Sequence, residues 1–246
     1  MSNTEFRDAL WIRLDLSGPV GHSECSSSPT ADPIGVHRLG CRNAAGLRTR
    51  RHDKIVTVLA AAALDADLRA FRVAREERLA EACSSRARPG DVALDLGSGR
   101  TLVDVTVKSP FAKAGHTSAR FAGSPAAAAA TAYDSKINKW RTLLANNHLE
   151  DDEVSSSFQP LVVTALGVWD ECSLLWLKRF SDACAIARGT DKCTGFSQLM
   201  TRLSIALWKD NSRLMRALRV SSDPKPAAGQ DDECDFDPAD CHTGPI

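Results

Sequence analysis

The stretch from Asp91 to Val107 limits the possible folds more than any other part of the chain. Its two halves, DVALDL and TLVDVTV, are rich in valine, leucine and threonine, which suit β-strands, and the sequence GSG separates them. Two short strands divided by a glycine-containing turn predict an antiparallel hairpin. Asp91 stands at the start of the first strand and Asp104 lies within the second, so the hairpin would bring two carboxylates to the same end of a sheet.

A second interpretation of the same residues is a cofactor loop. The sequence ALDLGSGRT is similar to the glycine-rich loop with which methyltransferases hold S-adenosylmethionine. In such loops the glycines lead from a strand into a helix, whose N-terminus faces the ligand. Here the glycines are followed by RTLVDVTVKSP, which has the composition of a strand and ends at Pro110. The hairpin is therefore favoured over the methyltransferase loop.

Apolar periodicity predicts further elements on both sides of the hairpin. Asp53 is predicted to cap a helix, Ser124 with Pro125 to open a long one, and Thr4 to cap a short N-terminal helix over residues 4–16. The predicted order is helix 53–67, strand 68–76, strands 91–96 and 101–107, helix 124–148, strand 158–168, and helices 170–187 and 195–218. A hairpin followed by a crossover helix to another strand indicates an α/β fold, with a mixed sheet flanked by helices.

The charge of the chain is zero overall but unevenly distributed. Residues 221–246 contain seven acidic residues and one lysine, so the remaining 30 basic and 24 acidic residues give the body a charge of +6. This tail is also rich in Pro and Gly, and we expect it to be disordered. Residues 38–54 carry six basic side chains against one acidic side chain. Such a cluster suits a polyanionic partner such as nucleic acid, although a solvated basic loop would have the same composition.

The chain lacks the features of membrane and secreted proteins. It has no run of 18 or more apolar residues, so we expect no membrane span. The first residues lack the basic start, apolar run and cleavage site of a signal peptide, which favours a nuclear or other intracellular location over secretion. In that setting the eight cysteines are expected to be reduced thiols or metal ligands.

Four residues near the N-terminus have the spacing of a structural zinc site. His22, Cys25, His37 and Cys41 form the pattern His-x2-Cys-x11-His-x3-Cys in a segment that otherwise lacks a core. Zinc would supply folding energy there, and the alternative is a linker without metal. Four other cysteines lie on or beside apolar helical faces and are expected to be buried: Cys83, Cys172, Cys184 and Cys193.

The residues around the hairpin resemble those of a known family. Arg88-Pro89-Gly90-Asp91 and Asp104-Val105-Thr106-Val107 look like the active-site hairpin of restriction-enzyme-like (PD-(D/E)XK) endonucleases. More closely, they resemble the endonuclease domain of site-specific non-LTR retrotransposon reverse transcriptases. The similarity continues, in the same order along the chain, through DPIGVHRLGC (a zinc knuckle), RRHDKIVTVLAAAA, AYDSKINKW and FQPLVVTALGVWD. Thr106 departs from the broad motif, which has a lysine there.

The resemblance implies a restriction-endonuclease-like domain over residues 51–220. An N-terminal helix and zinc-knuckle-like segment would precede it over residues 1–50, and the acidic tail would follow from residue 221. The implied activity is hydrolysis of DNA phosphodiesters with Mg²⁺ or Mn²⁺, for which two neighbouring carboxylates are suitable ligands. The implied partners are DNA, or RNA, and the polymerase part of a retroelement protein. The alternative is a catalytically inactive remnant that still binds nucleic acid.

Site residues follow from the same comparison. Asp91 and Asp104 would bind the metal, and a lysine of the following helix, Lys136 or Lys139, would assist. Lys108 is a third candidate, because it lies on the same face of its strand as Asp104. Contacts to the phosphate backbone are expected from five residues of the basic region and its surroundings: Arg48, Arg50, Arg51, His52 and Arg88.

Overall fold

The computed structural model describes residues 2–5, 39, 44–72, 90–96, 99–109, 124–146 and 156–217. The elements in these ranges are α1 (Ala45–Leu64), β1 (Arg69–Arg72), β2 (Val92–Asp95), β3 (Arg100–Lys108), α2 (Pro125–Asn146), β4 (Ser156–Thr164), α3 (Glu171–Arg188) and α4 (Lys192–Ala217). Their order is the predicted one. The four zinc candidates, Arg88, Cys83 and the acidic tail lie outside the described residues, so the predictions made for them stay predictions.

The described strands form one mixed sheet in the order β1-β2-β3-β4. The first three strands pair antiparallel, whereas β3 and β4 pair in parallel along nine residues. A parallel pair needs a crossover connection, and α2 provides it. The prediction of an α/β fold with a mixed sheet flanked by helices is therefore confirmed at this level.

Side chains of β3 alternate between two faces of the sheet, as they do in any strand. Val103 and Val105 face a core that includes residues of α1, α3 and α4. Leu102 faces the opposite side and packs with Trp140 of α2 and Phe158 of β4, whose rings stack with centroids 4.6 Å apart. Helices thus cover both faces.

Helix α1 begins at Ala45, eight residues before the predicted cap at Asp53, which lies inside the helix. The reason is the position of Arg51, which is 2% exposed. Its guanidinium donates to Asn211 Oδ1 at 2.7 Å and to the carbonyl of Leu39 at 3.2 Å. Asn211 in turn donates to the carbonyl of Ala165 at 2.7 Å. An arginine therefore occupies a core position, which hydrophobic periodicity cannot reveal.

Side-chain caps explain where several other helices begin. Ser124 Oγ accepts from the Ala127 amide before α2, as predicted, and Asp170 accepts from the Ser173 amide before α3. Asp191 accepts from the Thr194 amide, so α4 begins at Lys192 rather than at residue 195. The predicted cap Thr4 is wrong. Ser2 and Glu5 form the reciprocal bonds of a capping box, and the helical turn begins at residue 3.

The cysteine prediction holds for one of the three cysteines that are described. Cys184 is 2% exposed, and burial raises the pKa of its thiol from 9.0 to about 11. Cys172 and Cys193 are exposed, so the prediction that they are buried is wrong. Both lie in the first turn of a helix, on the side that faces solvent.

No helix within the described ranges has both the length and the apolar character needed to cross a membrane.

Candidate functional site

The hairpin of β2 and β3 brings its two acidic residues together. The strand register ends with Val92 opposite Val103, and Asp91 precedes Val92 in the bend before β2. The Asp91 amide donates to the carbonyl of Val103 at 2.8 Å. The preceding residue is Gly90, where a Cβ would lie 3.1 Å from that same carbonyl oxygen. A glycine therefore suits this position, because the chain passes close to the backbone of β3.

Two elements hold the carboxylate of Asp91, which is 7% exposed. Its Oδ2 accepts a hydrogen bond from the Val105 amide at 2.8 Å and forms a second hydrogen bond, also 2.8 Å long, with His52 Nε2. Val105 belongs to β3 and His52 to α1. The carboxylate is thus fixed by contacts on the hairpin and on the first helix.

His52 lies between two carboxylates. Its Nε2 faces Asp91, and its Nδ1 lies 3.0 Å from Asp53 Oδ1. Burial alone would lower the pKa of His52, but the hydrogen bonds and charges of Asp91 and Asp53 outweigh burial and raise that pKa. Since both ring nitrogens face acceptors, the protonated ring, which donates from both, suits this environment.

Asp104 forms an ion pair with Lys136 of the crossover helix. The distance from Lys136 Nζ to Asp104 Oδ2 is 2.6 Å, and the two side chains are 29% and 18% exposed. Burial raises the pKa of Asp104, and Lys136 opposes this rise only in part. The negative charge of Asp91 raises the pKa of Asp104 further, while His52 acts in the opposite direction. The two carboxylates therefore lie close enough to interact electrostatically.

The structure distinguishes among the three candidate lysines. Lys136 contacts Asp104, whereas Lys139 is exposed and lines an open surface groove on α2. Lys108 is exposed at the end of β3 and forms no ion pair with another described residue. Of the three, Lys136 is the one that reaches the acidic pair.

The candidate arginines do not share one surface. Arg50 is about half exposed, with its Nε 3.6 Å from Asp210 Oδ1, so it is available to a partner. Arg48 is half-buried. Arg51 is buried, and burial together with the charge of Arg48 lowers its pKa to about 10, although Asp210 opposes the change. The prediction that Arg51 contacts phosphate is therefore wrong, since no phosphate can reach it.

His52 was expected at a phosphate-binding surface, but its ring lies among the acidic residues instead. The sequence contains a signal for this position, because His52 precedes the buried Val56 by four residues and so lies on the same face of α1. Lys136 has a comparable signal. The buried residues Ala132 and Trp140 lie four residues before and after it, and buried Leu144 lies eight residues after it, so all share one face of α2.

The donor set of this cluster suits Mg²⁺ better than a metal that needs a complete protein cage. Asp91 and Asp104 offer hard carboxylate oxygens, and Mg²⁺ is usually held by one or two carboxylates together with waters and substrate phosphates. Within the described part of the chain, no group of three or more His, Cys, Asp or Glu residues has the geometry of a metal site. The two aspartates fit the ion that the resemblance implies, with Lys136 and His52 beside them.

Neither a protein-family model nor a curated protein sequence matches this chain.

Proposed function

We propose that this protein is a metal-dependent DNA endonuclease domain of the restriction-endonuclease type, derived from a non-LTR retrotransposon. The observation that carries the proposal is the Asp104–Lys136 ion pair beside Asp91. Two acidic residues and one lysine on a strand hairpin and the next helix form the set that the family resemblance requires. The mixed sheet with helices on both faces is compatible with that family.

Each residue of the cluster has a role that follows from its position. Asp91 and Asp104 would hold a divalent cation, which, when bound, lowers the pKa of a coordinated water and stabilises negative charge on the phosphate. Lys136 Nζ lies at hydrogen-bonding distance from Asp104 and would donate to the attacking water or to a phosphate oxygen. Asp91 is buried and the side chain of Asp104 is only 18% exposed, and this limited access of bulk water strengthens these charge interactions.

DNA would approach along the exposed side of α1. Arg50 is about half exposed and Lys54 is exposed on the same helix, one turn apart. Contacts between such side chains and the phosphate backbone give affinity and orientation without reading the base sequence.

A plasmid-nicking assay tests the proposal. The protein is incubated with supercoiled plasmid and Mg²⁺ or Mn²⁺, beside Asp104→Ala and a control, Asp67→Asn. Asp67 has φ 56° in the exposed turn after α1, a conformation that asparagine tolerates. We expect the parent and the control to nick the plasmid, and Asp104→Ala to be slower by at least about 100-fold. No nicking by the parent, or equal nicking by parent and Asp104→Ala, would contradict the proposal.

The second candidate is a nucleic-acid-binding module without catalysis. This function is favoured by two existing contacts: His52 bonds Asp91 Oδ2 and Lys136 pairs with Asp104 Oδ2. Each contact occupies a carboxylate oxygen that could otherwise bind a metal. Such a module would bind DNA with an affinity that falls as salt increases, and would cleave nothing with either cation. Fluorescence anisotropy in a salt series, performed beside the nicking assay, separates the two functions.

A further inference from the structure

The site is assembled from both sides of the sheet. His52 belongs to α1, which packs on the face of Val103 and Val105. Lys136 belongs to α2, which packs on the face of Leu102. Asp91 lies in the bend just before β2, and its Oδ2 forms its hydrogen bond with His52 from the α1 side. Lys136 reaches Asp104 from the α2 side, so the two acids stand between two cationic side chains.

The contacts of Asp91 restrict how its carboxylate can rotate. The same oxygen, Oδ2, accepts from the Val105 amide and bonds His52, each at 2.8 Å. The amide is fixed by the strand ladder of β3, and the ring is held on a helix whose next turn, at Ile55 and Val56, is buried. Two fixed partners on one oxygen hold that oxygen in place and limit the orientations that the carboxylate can adopt.

We propose that His52 is a positioning residue, which holds Asp91 in the orientation needed to share a cation with Asp104. This inference rests on the proposed function, because it assigns a role within the same site. Hydrogen-bond partners of metal ligands orient those ligands, and removing one typically costs about 10–100-fold in metal affinity or activity. His52 thus acts through Asp91 and does not itself touch the substrate.

The geometry opposes a phosphate-binding role for His52. Its two nitrogens face Asp91 and Asp53, at 2.8 and 3.0 Å, and its side chain is 25% exposed. A phosphate would have to displace one of these carboxylates to receive a hydrogen bond from the ring. Arg50 and Lys54 on the same helix have exposed cationic groups and serve that purpose without any such displacement.

Mn²⁺ binding by the DNA-free protein tests the role of His52 without requiring catalysis. Free Mn²⁺ is measured by electron paramagnetic resonance during titration of the parent, Asp104→Ala, His52→Ala, His52→Gln and the control Thr57→Ala. Thr57 is exposed on α1, and its hydroxyl bonds only within the helix, to the Asp53 carbonyl. We expect His52→Ala to raise the Mn²⁺ dissociation constant by about 10-fold or more. His52→Gln should stay within about threefold of the parent, because its amide N–H can replace the donor to Asp91, and Thr57→Ala should match the parent.

DNA affinity, measured in metal-free buffer, completes the test. We expect His52→Ala to bind DNA as the parent does, while Arg50→Ala binds more weakly. Unchanged Mn²⁺ binding in His52→Ala would overturn the positioning role, as would a loss confined to DNA affinity. If His52→Ala fails to fold, as judged by circular dichroism, His52→Leu replaces it, since leucine favours helix and keeps the bulk of the ring.

The two proposals fail in different ways. If the parent binds Mn²⁺ no better than Asp104→Ala does, the metal-dependent nuclease is overturned, and the role of His52 with it. If Mn²⁺ binding depends on Asp104 but not on His52, the positioning role alone is overturned.

Discussion

Asp104 is subject to opposing demands of stability and chemistry. Burial raises its pKa despite the ion pair with Lys136, so the ionised side chain costs stability in the folded protein. For an acid with a raised folded-state pKa, this cost is absent below the unfolded pKa and becomes complete as the pH rises through the folded value. At neutral pH the fold therefore retains a charge that weakens it, which is a common property of functional sites.

Asp104→Asn should separate these two demands. We expect it to raise the free energy of unfolding at pH 7 without metal by about 0.5–1 kcal/mol, because it removes a poorly solvated charge. The gain should shrink as the pH is lowered, since the parent's carboxylate then becomes protonated. Urea denaturation in EDTA at a series of pH values measures this, and the same variant should fail to nick plasmid. A variant clearly less stable than the parent at pH 7 would show that the Lys136 pair dominates.

The lysines of α2 provide a matched pair for a second prediction. Lys136→Ala should lower the nicking rate by at least about 100-fold, because it removes the cationic donor beside Asp104. Lys139→Ala, one turn away on the exposed side of the helix, should stay within about threefold of the parent. Single-turnover nicking rates at saturating Mg²⁺ make the comparison. Equal losses in both variants would assign the lysines to general DNA binding instead.

At this scale the sequence predicted the two acidic residues of the site, but it did not identify the lysine or the role of His52. Asp91 and Asp104 were predicted as a pair from the hairpin alone, and in the structure the charge of Asp91 contributes to raising the pKa of Asp104. The family resemblance left both Lys136 and Lys139 as candidates, although the apolar residues four positions before and after Lys136 favour it over Lys139. The bond from His52 to Asp91 joins residues 39 positions apart, so no local pattern could predict it.

At the scale of elements, helix α1 depends on a buried arginine. Arg51→Ala should lower the free energy of unfolding by about 2–4 kcal/mol, because it leaves a cavity and removes the donors to Asn211 and to the Leu39 carbonyl. Arg50→Ala, its exposed neighbour, should cost at most about 1 kcal/mol. Urea denaturation of both variants checks the difference. Equal small effects would show that the buried bonds contribute little net stability.

Helices α3 and α4 allow a chemical test of packing. At pH 7.5 the thiol of Cys184 should react with iodoacetamide at least about 100-fold more slowly than those of Cys172 and Cys193. Its pKa of about 11 reduces the reactive thiolate, and the side chain is 2% exposed. Peptide mapping by mass spectrometry gives the rate at each position. Comparable rates at all three positions would mean that the α3–α4 core opens readily.

Element types were easier to predict than element boundaries. Strands β3 and β4 have the β-branched composition that predicts them, and α2 has a serine cap followed by proline. The start of α1 was wrong because its first two turns, AGLRTRR, resemble a polar loop when arginine is assumed to be exposed. Partners distant in sequence decided that boundary, and they are visible only in three dimensions.

At the scale of the whole molecule, the order of elements and the mixed sheet followed from the sequence because a hairpin and a crossover helix leave few topologies. The distribution of charge along the sequence was a weaker guide to a nucleic-acid-binding surface. Of the basic residues counted around α1, Arg51 stabilises the interior and Arg50 faces solvent, next to Asp210. A count of charges therefore overestimates the surface that is available to a polyanion.

The parallel pairing of β3 with β4 also determines the order in which parts of the site form during folding. Hairpin partners lie close in sequence, as with Asp95 and Arg100, whereas Arg100 pairs with Ser156 across 56 positions. Closing the longer loop costs more chain entropy, so we expect the hairpin to form first. The two acids would then come together before Lys136 is in place. In that intermediate, the uncompensated repulsion between their charges would slow further folding.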